Sequence, residues 1–326
     1  MTINHPVSSL VNGELWKDTA GNEIHAHGGG LVKEGDAYYW FGENRHGNRK
    51  VSCYRSRDLM NWEFRKDVLT TSSTFEPFYV RTHPELNPEG SKPRYGTGAT
   101  IERPKVLYNK LTGRYIMWMH WENGQDYKDA RCAVASCSII DGDYTYHGSF
   151  NPIGYMSRDC TLFQDEDGTS YFISSSRDNA DLHIYRLSDD YMSIDEHVKT
   201  LWPGQYREAP TLFKRGKYYF LMTSACTGWH PNQAKYACAQ SITGRWSILK
   251  NVGDSTTYQS QPTYVLPIEG TSGTEYLYIG DRWDPENYYN SRYVFLPLEF
   301  PGEDSLALHW ADRLQIDLTA GKIMTR

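Results

Sequence analysis

A pattern of polar and apolar positions returns five times along this chain. Each time, a polar leading residue precedes a short apolar run, a turn that contains Gly, and a second run rich in Tyr and β-branched or aromatic residues. Two strand-like runs around such a turn are typical of a β-hairpin. The pattern therefore predicts one supersecondary unit used five times. The leading residues are His27, Glu102, Asp159, Glu208 and Gln261.

The spacing between the units leaves room for additional strands. Successive leading residues lie 75, 57, 49 and 53 residues apart, enough for about two further strands of ~5–6 residues in each unit. Candidate outer strands follow the first unit at 51–54 and 62–64 and the fourth at 236–239 and 246–249. Repeated four-stranded units that close in a ring form a β-propeller. We therefore expect an all-β, five-bladed β-propeller whose innermost strands run along a central channel.

Length and composition agree with one all-β domain. The repeat runs from about residue 25 to residue 285 of a 326-residue chain, so we expect residues 1–326 to form one catalytic domain. The chain contains 25 Tyr and 27 Gly and has no long runs of helix formers at helical spacing.

Charge and hydropathy exclude several classes of partner. A formal net charge of −6 with mixed signs argues against nucleic-acid binding, which requires a basic stripe. No run of about 18 apolar residues is present, so we expect no membrane span. Met1 to Leu15 lacks the pattern of a secretory signal, and the six cysteines show no metal-ligand spacing. We expect a cytoplasmic protein with reduced thiols, or a secreted one if a signal peptide has been removed.

The leading residues should meet at one end of the channel, because they hold equivalent places on the innermost strands. Three of them are carboxylic acids, and such a cluster costs free energy through like-charge repulsion and desolvation. A catalytic or ligand-binding site offsets that cost, whereas core filling does not.

Aromatic residues in the loops near this end favour a carbohydrate ligand. Sugar rings present apolar faces and a rim of hydroxyls, so a sugar site combines flat rings with hydrogen-bonding groups. Trp121 and Trp229 each follow an acidic leading residue by one strand and have polar neighbours. We expect both to contact sugar, although packing between blades is the structural alternative.

Glu208 and Glu102 are the candidates for acid chemistry. Glycoside hydrolysis requires a carboxylic acid to protonate the leaving oxygen and a second group to attack the sugar or activate water. The two glutamates come from non-adjacent units, and neighbouring carboxylates should raise the pKa of at least one of them. Spacing does not decide which one is the acid.

At this point the chain resembles glycoside hydrolase family 43, and within it the exo-β-1,3-galactanase group. The family implies a five-bladed propeller that inverts the anomeric configuration. By this resemblance Glu208 is the general acid, Glu102 tunes and orients it, and Asp159, Tyr127 and Glu43 line the terminal-sugar subsite. The segments that carry the resemblance are 25–43, 102–105, 117–124, 157–164, 207–213, 227–236 and 258–266.

The base position departs from most of the family. Most members have an Asp on the first blade, whereas this chain has His27 followed by Gly28, Gly29 and Gly30. The galactanase group shares that lack, and its base position matches Gln261. Because a neutral amide is a very poor base, Gln261 is expected to position water; a proton relay through an imidic-acid tautomer is the alternative.

The resemblance completes the expected site. The substrate is β-1,3-galactan, the backbone of type II arabinogalactan, cut from its non-reducing end to release galactose. The long insert from Thr70 to Gly98 is the candidate that blocks one end of the cleft. No cofactor is required, and a structural Ca²⁺ in the channel is possible. The residues assigned to substrate binding besides Glu43, Tyr127 and Asp159 are His27, Trp121, Asn179, Thr227, Trp229 and Arg282.

Two other functions stay open. One is a different family 43 activity, such as an α-L-arabinofuranosidase or a β-galactosidase. The other is a propeller that binds sugar without cleaving it, which the presence of both Glu102 and Glu208 disfavours and the missing Asp permits.

Overall fold

Antiparallel sheets account for nearly all of the regular structure in this computed structural model, which describes residues 6–78, 81, 86–91 and 94–326. Within these residues the strands are β1 (Leu10–Val11), β2 (His27–Glu34), β3 (Ala37–Asn44), β4 (Lys50–Ser56), β5 (Glu63–Leu69), β6 (Thr100–Asn109), β7 (Arg114–Glu122), β8 (Arg131–Cys137), β9 (Thr145–Phe150), β10 (Cys160–Gln164), β11 (Ser170–Ser176), β12 (Asp181–Leu187), β13 (Ile194–Leu201), β14 (Arg207–Arg215), β15 (Tyr218–Ala225), β16 (Lys235–Ala239), β17 (Lys250–Asn251), β18 (Gln261–Gly270), β19 (Gly273–Arg282), β20 (Arg292–Gly302), β21 (Ser305–Leu308), β22 (Arg313–Asp317) and β23 (Lys322–Thr325). The helical segments are two 3₁₀ turns, Pro152–Gly154 and Tyr288–Asn290.

Five sheets have four strands each, in the orders β2-β3-β4-β5, β6-β7-β8-β9, β10-β11-β12-β13, β14-β15-β16-β17 and β18-β19-β20-β21. We number these blades I to V. The first strands contact one another in a ring that β18 and β2 close. The all-β propeller expected from the repeat is therefore confirmed, and each predicted hairpin is the inner half of a blade.

The number of sheets is six rather than five. The sixth is three-stranded, in the order β1-β22-β23, and joins residues more than 300 positions apart, such as Leu10 and Leu314. Its apolar residues, including Leu314 and Ile316, belong to the same core cluster as Trp40 of blade I and Leu277 of blade V. It adds no strand to the inner ring, which β18 and β2 close directly. The repeat did not predict this sixth sheet, because strands with no internal repeat give no periodic signal.

A register shift follows the leading residue on several inner strands. In blades I, II and IV it lies immediately after His27, Glu102 and Glu208. The next residue has a left-handed backbone in each case, with φ of 60° at Gly28, 55° at Arg103 and 52° at Ala209. Bulges bend a strand and re-aim a side chain. These shifts therefore change the direction of each inner strand directly after its leading residue.

Blade I has an unusually close approach of two backbones. A Cβ built on Gly29 would lie 1.8 Å from the carbonyl oxygen of Phe41, and one on Gly42 would lie 2.0 Å from the carbonyl carbon of Ala26. A Cβ on Gly30 would lie 2.7 Å from Cδ of Lys105 in the neighbouring inner strand. Positions 29 and 42 require glycine because backbone atoms occupy the space of a Cβ, whereas a Cβ at position 30 would require the Lys105 side chain to shift.

A search of the described residues for a helix long and apolar enough to cross a membrane found none.

Candidate active site

A cavity of about 290 Å³ opens at the strand entrances. The leading residues of blades II to V line it, as expected from their register. Its walls contain Glu43, Arg45, Glu102, Arg103, His120, Tyr127, Arg158, Asp159, Asn179, Glu208, Cys226, Gly228, Trp229, Gln261 and Trp283.

Glu208 is a mostly buried carboxyl group with two amide donors. Asn179 Nδ2 lies 3.2 Å from its Oε2, and Gln261 Nε2 lies 3.1 Å from its Oε1. Burial, together with the charge of Asp159, raises the pKa of Glu208 to about 8 in spite of the opposing charge of Arg103. Such a group holds its proton near neutral pH, the property that a general acid requires.

Arg103 connects Asp159 with the fifth blade. Its NH2 lies 3.0 Å from Asp159 Oδ2 and also donates to the side-chain oxygen of Gln261. Its NH1 donates to the backbone oxygen of Pro262 at 3.2 Å. Because this guanidinium is only 5 % exposed, it fixes Asp159 and Gln261 relative to each other.

The amide of Gln261 has a partner for every hydrogen-bonding atom. Nε2 donates to Glu208 and to Ser224 Oγ, the latter at 2.9 Å. Oε1 accepts from Arg103 and, at 2.7 Å, from Trp283 Nε1. Arg and Trp side chains only donate, so they fix the orientation of the amide. An imidic-acid O–H at Oε1 would find no acceptor in them.

Glu102 is held as a carboxylate in the same cavity. Arg45 NH2 lies 2.8 Å and the Tyr127 hydroxyl 2.5 Å from its Oε1, and His120 Nδ1 lies 3.1 Å from its Oε2. Burial alone would raise the pKa of Glu102, but the hydrogen bond from His120 and the charge of Arg45 hold it well below its usual value.

His120 lies between two carboxylates. Its Nε2 is 2.9 Å from Glu122 Oε1, and Glu122 also accepts a hydrogen bond from the backbone N–H of Ala130. Although burial opposes protonation, Glu102 and Glu122 raise the pKa of His120 to about 9. The imidazolium therefore couples the buried Glu122 to the cavity wall.

Glu43 completes the acidic lining from blade I. Burial raises its pKa to about 7, with Arg45 opposing and Glu102 adding to the shift. Its Oε2 accepts from Arg45 NH2 at 3.1 Å. Cross-strand pairing with His27 places Glu43 at the blade I entrance.

His27 does not reach the cavity. It is 2 % exposed, its Nδ1 lies 3.0 Å from Asp281 Oδ1, and its ring stacks on Tyr293 at 4.6 Å. The predicted contact of His27 with the substrate is therefore corrected. Its ring lies 5.3 Å from that of Trp283, so His27 supports a residue of the cavity wall instead. The carboxylate of Asp281, on β19, holds the imidazole outside the cavity.

Three other predicted sugar contacts also lie elsewhere. Trp121 is 3 % exposed in the core between blades I and II, because strand alternation points it away from His120 and Glu122. Arg282 is directed away from the cavity, to the backbone oxygen of Tyr258 at 2.8 Å and the ring of Trp310. Thr227 precedes Gly228 in the cavity loop, but its hydroxyl bonds within that loop to His230 and Asn232.

Trp229 lies where the sequence predicts, on the cavity wall. Its ring is nearly parallel to Trp283 at 6.3 Å and lies 5.7 Å from Tyr95 and 5.8 Å from Tyr288. Glu43, Tyr127, Asp159 and Asn179 are likewise brought together in the lining.

Sequence reasoning missed the cations. Arg45 follows Glu43 by two positions and Arg103 follows Glu102 directly, so an acidic site residue with an adjacent Arg was the available signal. Arg158 donates to the backbone oxygen of Tyr127 at 2.7 Å and to Asp178. Lys105, 2 % exposed, donates to the backbone oxygen of Gly28 at 2.7 Å.

Glu102, His120 and Asp159 offer one atom each within 4.8 Å of one another. The carboxylates already pair with Arg45 and Arg103, and both His120 nitrogens have carboxylate partners. This set does not resemble the six to eight oxygens that Ca²⁺ takes, so these residues do not supply the possible calcium site.

Comparisons with known proteins identify a family and several solved structures that resemble this chain. The sequence profile described as "Glycosyl hydrolases family 43" matches residues 101–281, which is more than half of the chain. The structure of an exo-β-1,3-galactanase from Clostridium thermocellum is 48% identical in sequence with a TM-score of 0.90, and the match covers 98% of this chain and 69% of that chain. An exo-β-1,3-galactanase from Phanerochaete chrysosporium, solved as a variant with β-1,3-galactotriose, is 34% identical with a TM-score of 0.85, over 98% of this chain and 70% of that chain.

A curated relative is more distant. The β-xylosidase of Bacillus subtilis is 25% identical over 212 residues, and the match covers 61% of this chain and 36% of that protein. The chain thus spans about a third of that relative's length. The family match and the identity with the galactanase structures together decide the family: the chain belongs to glycosyl hydrolases family 43.

Proposed function

We propose that this glycoside hydrolase is an inverting exo-β-1,3-galactanase that releases galactose from the non-reducing end of β-1,3-galactan. The observation that carries the proposal is Glu208, a carboxyl group that keeps its proton near neutral pH in a cavity that also holds the ionised Glu102. The solved galactanase from Phanerochaete chrysosporium with β-1,3-galactotriose supports a galactan substrate.

In the proposed reaction Glu208 gives its proton to the glycosidic oxygen as the bond from that oxygen to the anomeric carbon breaks. Water attacks the same carbon from the other face and loses a proton, and Glu208 is reprotonated from solvent. Glu102 acts on Glu208 through its negative charge, which helps to orient the acid and to raise its pKa. Asp159 and Arg103 form an ion pair beside Glu208. The charge of Asp159 raises the pKa of Glu208, and the charge of Arg103 lowers it.

For Gln261 the contacts support a positioning role toward Glu208. Holding the attacking water, the role expected from the resemblance, requires Gln261 to exchange one of its four present partners. An inverting pair also lies about 6.5–9.5 Å apart to leave room for water, whereas Gln261 contacts Glu208 directly. We therefore propose that Gln261 orients the acid, and water positioning stays a prediction.

The size of the cavity supports an exo mode. Ligand pockets occupy about 300–1,000 Å³, so this cavity of about 290 Å³ suits one terminal sugar better than an internal stretch of chain. The insert at 70–98, the expected block, lies partly outside the described residues. Its residue Tyr95 packs against Trp229 at the rim.

A substrate panel tests the proposal. The protein is incubated separately with β-1,3-galactobiose, β-1,3-galactan and an aryl α-L-arabinofuranoside, and early products are followed by ¹H NMR. Galactose that appears first as the α-anomer supports an inverting galactanase. Arabinose as the main product identifies another family 43 activity, and binding without any product identifies a non-catalytic propeller. Either result overturns the proposal.

A further inference from the structure

A second cavity of about 420 Å³ adjoins the catalytic one. We call it the arginine pocket. Arg45, Tyr127, Gly228 and Trp229 line both cavities. The residues that give the arginine pocket its chemistry are Arg45, Arg49, Arg94, Tyr95, Tyr127 and Trp229.

Arg49 is a buried cation without an anionic partner in the described part of the chain. It is 5 % exposed, and its Nε donates to the backbone oxygen of Tyr95 at 2.8 Å. Its NH1 has no hydrogen-bond partner, and neither has Nε of the neighbouring Arg45. Buried guanidinium groups are ordinarily paired, because an unpaired buried charge costs free energy. The unpaired donors therefore point to an anion that the protein itself does not supply.

The surrounding charges agree with this. Burial and repulsion from Arg45 lower the pKa of Arg49 to about 10. Arg94, also on the wall, donates to a backbone oxygen, that of Glu286, at 3.0 Å. Asp126 is the acid among the lining residues, and it pairs with Lys128 at 3.3 Å. Arg45 is already paired with Glu43 and Glu102, so the positive charge of the pocket comes from Arg49 and Arg94.

The rest of the lining fits a sugar better than a bare ion. The ring of Tyr95 lies 5.7 Å from that of Trp229, and the Tyr127 hydroxyl contacts Glu102 in the catalytic cavity. Flat aromatic surface with hydrogen-bonding groups suits a pyranose. A planar guanidinium with free N–H groups suits a carboxylate, which it binds with two parallel hydrogen bonds.

We propose that the arginine pocket binds the carboxylate of an acidic sugar, a uronic acid carried as a branch on the substrate. This inference rests on the proposed function, which gives the neutral galactan chain of the substrate. The acidic branch is inferred from the arginine pocket alone. A galactan whose branch ends in glucuronic acid would place its terminal sugar near Glu208 and its carboxylate near Arg49.

Two oligosaccharides test the proposal. One is a neutral β-1,3-galacto-oligosaccharide, and the other is the same chain with a glucuronic acid branch. We expect the ratio of kcat/KM for the acidic over the neutral substrate to fall at least ~10-fold in Arg49→Gln, the effect of losing charge-assisted hydrogen bonds. Added salt should lower the wild-type ratio. The control Arg57→Gln removes an exposed arginine paired with Asp36. It should leave the ratio of kcat/KM at the wild-type value.

A binding experiment separates this inference from the proposed function. Sodium glucuronate, galactose and sodium sulfate are titrated into the wild-type protein and Arg49→Gln by calorimetry, with thermal unfolding to show that the variant folds. Glucuronate binding that Arg49→Gln weakens supports the pocket even if no galactan is cleaved. Equal glucuronate binding by both proteins, or binding of sulfate without glucuronate, overturns it.

Discussion

Gln261 donates a hydrogen bond of 3.1 Å from Nε2 to Oε1 of Glu208, so the residue expected at the base position lies in direct contact with the proposed acid. Gln261 also bonds Ser224, Arg103 and Trp283. The acid is thus held by a rigid amide that is itself anchored from two blades.

The role of Gln261 is tested by the leaving group. If the amide orients the acid, Gln261→Ala should lower kcat/KM on β-1,3-galactobiose by ~10²-fold, as Glu208→Gln should. The loss should shrink on an aryl β-galactoside, because a good leaving group needs little protonation. An equal loss on both substrates would instead assign the amide to the water. Glu14→Gln, an exposed glutamate, is the control.

The pH dependence of kcat/KM should depend on the charge of Asp159. Glu208 must be protonated to act, so kcat/KM should fall as pH rises through about 8. The charge of Asp159 contributes to that raised pKa, so Asp159→Asn should move the alkaline limb to lower pH. Asp36→Asn, an exposed surface change, should leave the limb where it is. An unmoved limb in Asp159→Asn would contradict the assignment of Glu208 as the group that titrates there.

His120 should make stability depend on pH. A His pKa raised in the folded state adds stability that is fully present below the ordinary value of about 6.5 and is lost as pH rises. The loss should be complete above about 9. Glu122→Gln removes one of the charges that raise this pKa, so its Tm should fall less than the wild-type Tm between pH 6.5 and 9. Parallel Tm curves for the two proteins would refute the ion-pair account.

Cys226 should tune the acid as a thiol donor. It is the partly exposed member of six free cysteines, and its side chain hydrogen-bonds to Glu208, an interaction that lowers the acid's pKa. Burial and the charge of Glu208 raise the pKa of the thiol to about 12, so it stays protonated. Cys226→Ala should therefore shift the alkaline limb upward, whereas Cys226→Ser, which keeps a donor, should hold it. Identical limbs in all three proteins would exclude this role.

Two tryptophans should separate stability from binding. Trp121 is buried in the core, so Trp121→Leu should lower the free energy of unfolding by on the order of 2 kcal/mol with little change in KM. Trp229→Leu should raise KM and change the unfolding free energy less. Denaturant unfolding and steady-state kinetics on both variants check the pair, and a larger KM effect from Trp121 would contradict the placement.

The sequence predicts the blades and most of the acidic lining because inner-strand register is a periodic property. It could not place His27, since its partner Asp281 enters from a strand of another blade. Strand alternation after His120 was a usable signal that Trp121 points away from the cavity. Arg45 and Arg49 lie in the β3–β4 connection and Arg103 lies on β6. They were missed because a charged residue in a connection or on a strand is ordinarily solvent-facing, and only the ring arrangement buries these three.

The glycines of blade I restrict how this site can be altered. A carboxylate at position 29 would have to displace the backbone at Phe41, and one at position 30 would have to displace Lys105. A single substitution at position 29 therefore cannot install an acid on the first strand without backbone movement. An acid at position 29 would require β2 and β3 to move apart, and one at position 30 would require a new place for the buried Lys105 side chain, which now bonds to Gly28.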